Sequence, residues 1–259
     1  MRRLAFSWRL ARIGLHLLSG LAQCALLFPF LRLDQRNLLV QRWSGHLVRM
    51  FGMTLCVTGA GQGVGAVVAN HVSWIDVFVL NAVAPCRFVA KSEVRRWPAI
   101  GWLSARAGTL YVERGRRSSL LAANATIAKH LAKRERLAFF PEGTSGPQGS
   151  ILPFHANLFH GIVQARAPVL PVAVAYFDAD GGISTAAEYI DDMSLWDSIV
   201  SLLSHGPFVV TVALLPPIPS AGIDRRALAG ATHTAVAAAL AEAFAECAGA
   251  FPMAGRAGR

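Results

Sequence analysis

Cysteine is scarce in this chain of 259 residues, which contains four cysteines and no CxxC pair. None of them has a histidine at the spacing of zinc-binding motifs, so neither a disulfide framework nor a zinc site is expected. Reduced and partly buried thiols are compatible with a cytosolic setting. The four residues are Cys24, Cys56, Cys86 and Cys247.

Charged residues are also few: they make up 15% of the chain, whereas hydrophobic residues make up 54%. This composition excludes a disordered protein and is sufficient for the core of one large domain. The net charge of +10, from 25 Lys+Arg and 15 Asp+Glu, favours an anionic partner. Because dense Lys/Arg clusters and recognisable nucleic-acid modules are missing, we expect an anionic membrane surface and no nucleic acid as partner.

The N-terminal region contains a run of 19 residues without Lys, Arg, Asp or Glu, at 13–31. Its length approaches the roughly 20 residues that span a bilayer. Basic residues on both sides weaken the orientation rule and favour an interfacial anchor, or a segment that enters the membrane and returns. A cleaved signal peptide is the alternative, but no small-residue cleavage site precedes FPFLRLDQR. The flanking residues are Arg2, Arg3, Arg9, Arg12, Arg32 and Arg36.

A second helix is predicted in the sequence RNLLVQRWSGHLVRMFGM, with apolar residues on one face and basic residues on another. A basic amphipathic helix with tryptophan is typical of a membrane interface, but a helix packed on the domain fits equally well. We therefore predict membrane-anchoring helices in residues 1–50. The apolar face comprises Leu39, Trp43, Leu47 and Phe51, and the basic face comprises Arg42, His46 and Arg49.

Seven short apolar runs typical of β-strands follow, with helix-like runs between most of them. This alternation predicts one α/β domain at 51–248, with a mixed central sheet flanked by helices and preceded by the N-terminal membrane-associated helical segment. Residues 249–259 are predicted to be a disordered tail. The strand-like runs are TLCVTG, AVVAN, CRFVA, GTLYVE, RLAFF, PVLPVAVAYF and PFVVTVALL.

A glycine-rich loop, AGQGVG, separates the first two predicted strands. Its glycines do not match GxGxxG, and a strand rather than a helix follows, so a dinucleotide-binding site is not expected. We predict a hairpin turn that pairs these two strands.

Polar residues interrupt the apolar stretch VVANHVSWIDVFVL at 67–80. His71 follows a predicted strand, and Asp76 lies about one helical turn into the next element. A carboxylate on one ring nitrogen fixes the tautomer of an imidazole and strengthens the other nitrogen as a base. A histidine that caps the helix is the alternative for this single motif.

Two further stretches place polar groups at strand ends. In FFPEGTSG, a strand leads into Glu142, Gly143 and Thr144, which suits a loop that binds hydroxyls or oxyanions. In GTLYVERGRRSS, Arg114 begins a basic loop, and arginine matches phosphate or carboxylate well. A capped tight turn and a solvated charge run are the respective alternatives.

Together these stretches resemble the glycerophospholipid acyltransferase family, typified by 1-acylglycerol-3-phosphate acyltransferases, over roughly residues 50–220. The motif set is specific in combination. The family's four motifs match His71 and Asp76; Lys91, Pro98, Gly101 and Arg114; Phe140, Pro141, Glu142, Gly143 and Thr144; and Pro171.

The resemblance implies a mechanism and a location. His71 is the general base, Asp76 orients it, and an acceptor hydroxyl attacks the thioester of acyl-CoA or acyl carrier protein; no metal or other cofactor is expected. A lysolipid is the acceptor, and the enzyme is expected at the inner membrane, with the catalytic domain facing the cytoplasm. The implied substrate-binding residues are Lys91, Arg114, Glu142, Gly143, Thr144, Ser145 and Pro171.

Two departures concern the acceptor. Ser145 stands where phosphate-acylating relatives usually have arginine, and His155 replaces a common lysine. Some relatives with EGTS resemble the enzymes that acylate lyso-ornithine lipid, whose head group lacks phosphate. We predict 1-acylglycerol-3-phosphate as acceptor by a small margin, giving phosphatidic acid, with lyso-ornithine lipid as the alternative. A serine hydrolase using Ser145 is disfavoured because GTSGP is not G-x-S-x-G, and a non-catalytic membrane-binding module would need no His–Asp pair.

Overall fold

The computed structural model describes residues 2–59, 63, 65–97, 100–113 and 117–250. The strands are β1 Met53–Thr58, β2 Ala66–Ala69, β3 Arg87–Lys91, β4 Leu110–Val112, β5 Leu137–Phe139, β6 Val169–Asp178 and β7 Phe208–Leu214. The α-helices are α1 Arg2–Leu26, α2 Leu33–Met50, α3 Asp76–Val83, α4 Ile100–Arg106, α5 Arg117–Ala132, α6 Phe159–Ala165, α7 Leu195–His205 and α8 Arg225–Ala250.

The strands form one sheet in the order β1-β7-β6-β2-β5-β3-β4. β6 and β7 are antiparallel, whereas every other pair of neighbours is parallel. The predicted mixed α/β sheet flanked by helices is therefore confirmed. β6 is buried from Val169 to Phe177, as a central strand covered on both faces should be.

The predicted hairpin between β1 and β2 is wrong. β1 pairs with β7, and both β7 and β6 lie between β1 and β2 in the sheet. Adjacent runs joined by a glycine-rich loop satisfy the local hairpin pattern, but the sequence does not reveal that two strands from the C-terminal half separate them. Gly59, with φ +76°, starts the connection beside Leu214 of β7, and a Cβ there would lie 2.0 Å from the Leu214 carbonyl oxygen.

The carboxyl ends of β2, β5 and β3 lie at the same edge of the sheet because these strands are parallel. This is the edge at which α/β proteins usually bind ligands. Asn70 marks the end of β2: its amide accepts from the N–H of Val174 at 2.8 Å and donates to the Val174 carbonyl at 2.9 Å. These two hydrogen bonds to β6 fix the backbone immediately before His71.

Helix α2 packs on the domain through its apolar face, while its membrane contact stays a prediction. Leu47 and Phe51 are buried in the main core, while Arg42 and Arg49 are exposed. The apolar residues at this spacing therefore contact protein.

Helix α1 is held against α2 by a reciprocal contact between His16 and Trp43. The two rings stack with centroids 4.7 Å apart. Trp43 Nε1 donates to the His16 carbonyl at 3.0 Å, and His16 Nε2 lies 2.9 Å from the Trp43 carbonyl. Ile13 of α1 is buried in the main core, so α1 lies along the domain instead of projecting from it.

The opposite face of α1 is apolar and exposed. In length and composition, Phe6–Phe30 could cross a membrane, and so could Arg225–Glu246. In the latter, Leu228, Val236 and Leu240 are buried, as predicted for a packing helix. On α1 and just beyond it, several large apolar side chains are exposed by between 61% and 87%: Leu4, Trp8, Leu15, Leu18, Leu26 and Phe30.

Helix α7 was not predicted from the sequence. The Ser194 side chain caps it by accepting the N–H of Asp197 at 3.1 Å, and this Ser-x-x-Asp spacing was the available signal. Leu202 and Leu203 bury its inner face in the main core.

Candidate active site

His71 lies in the loop between β2 and α3. Its Nδ1 is 2.9 Å from Oδ2 of Asp76, the first residue of α3. The His71 side chain is 20% exposed, whereas that of Asp76 is fully buried. A carboxylate that accepts a hydrogen bond from Nδ1–H fixes the proton on Nδ1. The lone pair is then on Nε2, where a base is needed. The N-cap residue of α3 is Ile75, so the alternative in which His71 caps this helix is wrong.

Four donors converge on Asp76. Besides the imidazole, Oδ2 accepts the N–H groups of Val72 and Ser73 at 2.8 and 2.9 Å. Oδ1 accepts the hydroxyl of Tyr176, a buried residue on β6. These bonds compensate for the removal of the carboxylate from water, which would otherwise disfavour its charge.

The plane of the imidazole is set by an aromatic platform. The His71 and Phe140 rings stack with centroids 3.9 Å apart and planes 7° from parallel. Phe140 stacks in turn on Phe88 of β3, with centroids 5.9 Å apart. His71 follows β2, Phe140 follows β5 and Phe88 lies in β3. Three adjacent parallel strands therefore place one ring each in this stack.

Glu142 fastens the following loop to His71. Its Oε1 accepts the His71 N–H at 2.7 Å, and its Oε2 accepts the Leu152 N–H at 3.0 Å. The N–H of Gly146 donates to the His71 carbonyl at 2.8 Å. Burial raises the pKa of Glu142, while the two N–H groups act in the opposite direction. Both carboxylate oxygens therefore bind the protein itself, and the predicted contact between Glu142 and the acceptor stays a prediction.

Ser145 is tied to a neighbouring segment. Its hydroxyl donates to the carbonyl of Tyr189, and the N–H of Tyr189 donates to the Val72 carbonyl at 3.0 Å. The segment around Tyr189 thus contacts both the loop that contains Ser145 and the loop that follows His71. Because the Ser145 hydroxyl is bonded to a backbone carbonyl and not to an imidazole, this geometry gives no support to a serine nucleophile.

The remaining predicted residues lie around this edge of the sheet. Gly143 has φ +74°, a left-handed conformation that favours glycine, and Thr144 is exposed. Lys91 is exposed at the carboxyl end of β3. Pro171 is buried in β6, aligned with Val68 of β2. Their contacts with substrate stay predictions.

The predicted cation Arg114 lies outside the described residues, as does Arg116. Within the described ranges, no group of three or more His, Cys, Asp or Glu side chains could hold a metal ion.

Sequence reasoning missed Tyr176 and Gln148. Tyr176 is 100 residues from Asp76 in a continuously apolar strand, where a buried tyrosine is unremarkable. Gln148 accepts the Tyr176 N–H at 2.7 Å through Oε1 and donates to the Tyr176 carbonyl at 3.0 Å through Nε2. The only available signal was the polar hydroxyl in an otherwise apolar run, which must find a partner when buried.

The family model described as Acyltransferase matches residues 60–175, which include His71, Asp76 and the loop at Glu142. The lyso-ornithine lipid O-acyltransferase of Pseudomonas aeruginosa is 38% identical over 206 residues, which is 79% of this chain and 79% of that protein. This chain belongs to the acyltransferase family. It is accordingly an enzyme, and the resemblance noted in the sequence is confirmed.

Further relatives carry two kinds of name. The lyso-ornithine lipid O-acyltransferase of Brucella abortus is 33% identical over 76% of this acyltransferase and 80% of its own length. The 1-acyl-sn-glycerol-3-phosphate acyltransferase of Neisseria gonorrhoeae is 38% identical over 48% of this chain and 49% of that protein. In fold, the acyltransferase is similar to the 1-acyl-sn-glycerophosphate (LPA) acyltransferase PlsC of Thermotoga maritima. The TM-score is 0.63 at 19% identity, over 90% of this chain and 97% of the other.

Proposed function

We propose that this acyltransferase moves a fatty acyl chain from the thioester of coenzyme A or acyl carrier protein to the free hydroxyl of a lysolipid. Nε2 of His71 removes the hydroxyl proton as the oxygen attacks the thioester carbonyl. A C–O bond forms, the C–S bond breaks, and the thiolate leaves and takes up the proton. The observation that carries this proposal is the 2.9 Å bond between His71 Nδ1 and the fully buried Asp76.

The tetrahedral intermediate requires donors for its oxyanion. The loop at 142–146 is the backbone segment tied to His71 at two points, through Glu142 and through Gly146. We propose that N–H groups of this loop bind the oxyanion, since the two ties hold them at a fixed distance from the base.

Local charge favours lyso-ornithine lipid as acceptor. The Ser145 hydroxyl is engaged by the carbonyl of Tyr189, and Tyr189 is followed closely by the exposed carboxylates of Asp191 and Asp192. A head group that carries an ammonium, as ornithine does, is compatible with these carboxylates, whereas a phosphate is repelled by them. The long matches to relatives named lyso-ornithine lipid O-acyltransferases support the same acceptor.

The second candidate acceptor is 1-acylglycerol-3-phosphate, the first choice in the sequence analysis. Lys91 lies exposed at the same edge of the sheet and supplies a cation suited to phosphate. Relatives of this chain in Neisseria gonorrhoeae and Homo sapiens are named 1-acyl-sn-glycerol-3-phosphate acyltransferases, which supports this acceptor. With this acceptor the product is phosphatidic acid.

The test is acylation of the two lysolipids by wild type and by Ser145→Arg, measured as kcat/KM with a labelled acyl thioester. Wild type should prefer lyso-ornithine lipid, and the added guanidinium should shift the ratio toward 1-acylglycerol-3-phosphate by about tenfold or more, as one charge-assisted bond does. Ser145→Ala serves as the control, because it removes the hydroxyl without adding charge. A wild type that acylates only the phosphate-bearing lipid would reverse the order of the two acceptors. Acylation of neither lipid would refute the proposed function.

We further propose that the exposed apolar face of α1 rests in the membrane interface. Trp8, Leu15 and Leu18 share this face, while the opposite face packs on the domain through Ile13. A helix with one side on protein and the other apolar and exposed is suited to lie in the interface. The catalytic domain would then stand at the inner membrane, on its cytoplasmic side, where acyl thioesters are available.

A further inference from the structure

The hydroxyl of Tyr176 is the one side-chain donor to Asp76, apart from His71, among the described residues. It donates to Oδ1, while the other three donors bind Oδ2. The two oxygens of the carboxylate are thus held by different donors. Rotation of the carboxylate would break the Tyr176 bond, and so the hydroxyl fixes the orientation in which Oδ2 faces the imidazole.

Tyr176 is itself held through its backbone as well as through its hydroxyl. Its side chain is fully buried, and the Gln148 amide clasps its backbone N–H and carbonyl at 2.7 and 3.0 Å. The backbone N–H of Gln148 donates to Glu188 at 2.8 Å. Gln148 belongs to the same loop as Glu142, so one loop supports both His71 and the residue behind Asp76.

The hydroxyl stays a donor over the working range of the enzyme. Burial raises the pKa of Tyr176 well above its ordinary value of 10, and the negative charge of Asp76 raises it further. A protonated hydroxyl that donates to a carboxylate draws electron density from it. The carboxylate then accepts the hydrogen bond from the imidazole N–H less strongly, and it stabilises the positive charge of a protonated ring less than an unbonded carboxylate would.

We propose that Tyr176 is a positioning residue of this reaction: its hydroxyl orients Asp76 and weakens the hold of the His71–Asp76 pair on a second proton. With Oδ2 held on the Nδ1 side of the ring, the lone pair on Nε2 is left to act as the base. The inference rests on the proposed role of His71 in acyl transfer, and it assigns Tyr176 no contact with substrate.

The test is Tyr176→Phe, which deletes one oxygen and keeps the ring in the core. We expect kcat to fall by about tenfold with KM within about twofold, because one charge-assisted hydrogen bond is lost away from the substrate. The acidic limb of the kcat/KM profile should move up by about half a pH unit or more. The titratable group bonded to the His71 backbone, Glu142, is unchanged in this variant.

The matched control is Tyr111→Phe. The Tyr111 hydroxyl also makes hydrogen bonds, to Ser104 at 2.7 Å and to the Gly101 carbonyl at 3.2 Å, but lies on β4. Its loss should lower stability comparably and leave the acidic limb in place. If both variants shift the limb equally, or if folded Tyr176→Phe keeps the wild-type kcat and pH profile, the inference is wrong.

A second measurement adds a substitution for which the opposite effect is expected. Incorporation of 3-fluorotyrosine at position 176 keeps the packing and makes the hydroxyl a stronger donor, so the acidic limb should move to lower pH, opposite to Tyr176→Phe. In the enzyme without substrate, the ¹⁵N resonance of His71 Nδ1 should change in both forms and stay constant in Tyr111→Phe. Constant His71 resonances in both forms would overturn the inference. Absence of acyl transfer in wild type would instead count against the proposed function alone.

Discussion

Replacement of Asp76 by asparagine removes one charge from a fully buried side chain and keeps its shape. The amide has one acceptor oxygen, whereas Asp76 uses two, with three donors on Oδ2 and the Tyr176 hydroxyl on Oδ1. With its oxygen in the Oδ2 position, the amide keeps all three N–H bonds, and the Tyr176 hydroxyl turns to accept from the amide NH₂. We expect this arrangement, because the flipped one would leave Val72 and Ser73 without an acceptor.

The substitution destabilises the imidazolium that forms when His71 takes the proton from the acceptor hydroxyl. Opposite charges about 4 Å apart attract by about 4 kcal/mol at an effective dielectric constant near 20. Asp76→Asn removes this attraction in the transition state, and at about 1.4 kcal/mol per factor of ten the loss is about 10³-fold in kcat. KM should change little, because the residue is buried beneath the imidazole.

The assay is steady-state acyl transfer from a labelled thioester, with circular dichroism and thermal unfolding to show that the variant folds. Asp178→Asn is the matched control, because Asp178 and His205 form a second His–Asp pair at 2.9 Å that is partly exposed. That variant should keep the wild-type kcat. A folded Asp76→Asn enzyme within about threefold of wild type would refute the role given to the carboxylate.

Three further predictions concern the membrane, pH and packing. Trp8→Glu with Leu15→Glu should reduce cosedimentation with anionic vesicles, whereas Ile183→Glu, exposed elsewhere, should not; equal binding by all three proteins would exclude the α1 face as the contact. Burial raises the pKa of Glu142 from 4.5, so the native state binds the Glu142 proton more tightly than the unfolded chain does. The free energy of unfolding should therefore fall as the pH rises from about 4.5 through the raised pKa of the folded state. Urea unfolding between about pH 4 and pH 7 should show that the free energy of unfolding depends less on pH in Glu142→Gln than in wild type. An unchanged pH dependence would assign the effect to other groups. Gly161→Ala should lower the free energy of unfolding by about 2 kcal/mol, because its Cβ would lie 2.6 Å from the Asn124 carbonyl oxygen. Gly230→Ala, with open space around its Cβ, should not destabilise the helix.

The elements of the fold follow from local patterns, but their pairing does not. All seven strand-like runs are strands, because each combines β-branched or aromatic residues with flanking turn residues. The partner of β1 is decided by contacts with β7, more than 150 residues away along the chain. No local signal in TLCVTG distinguishes that pairing from a hairpin.

The same distinction holds at the candidate site. His71 and Asp76 lie five residues apart, so their contact follows from one loop and the first turn of α3. The bond between Glu142 and the His71 N–H depends on the adjacency of β2 and β5 in the sheet. Tyr176 depends on β6 lying on the other side of β2. These two contacts became visible only with the order of the strands.

The proposed acyl transfer depends most directly on His71. The deciding measurement is kcat for acyl transfer from a labelled thioester to lyso-ornithine lipid and to 1-acylglycerol-3-phosphate, by wild type and by folded His71→Ala. Wild type should acylate at least one of the two lipids, and His71→Ala should be slower by about 10² to 10⁴, the usual contribution of a positioned general base. Acyl transfer at a near wild-type rate by folded His71→Ala would contradict the account.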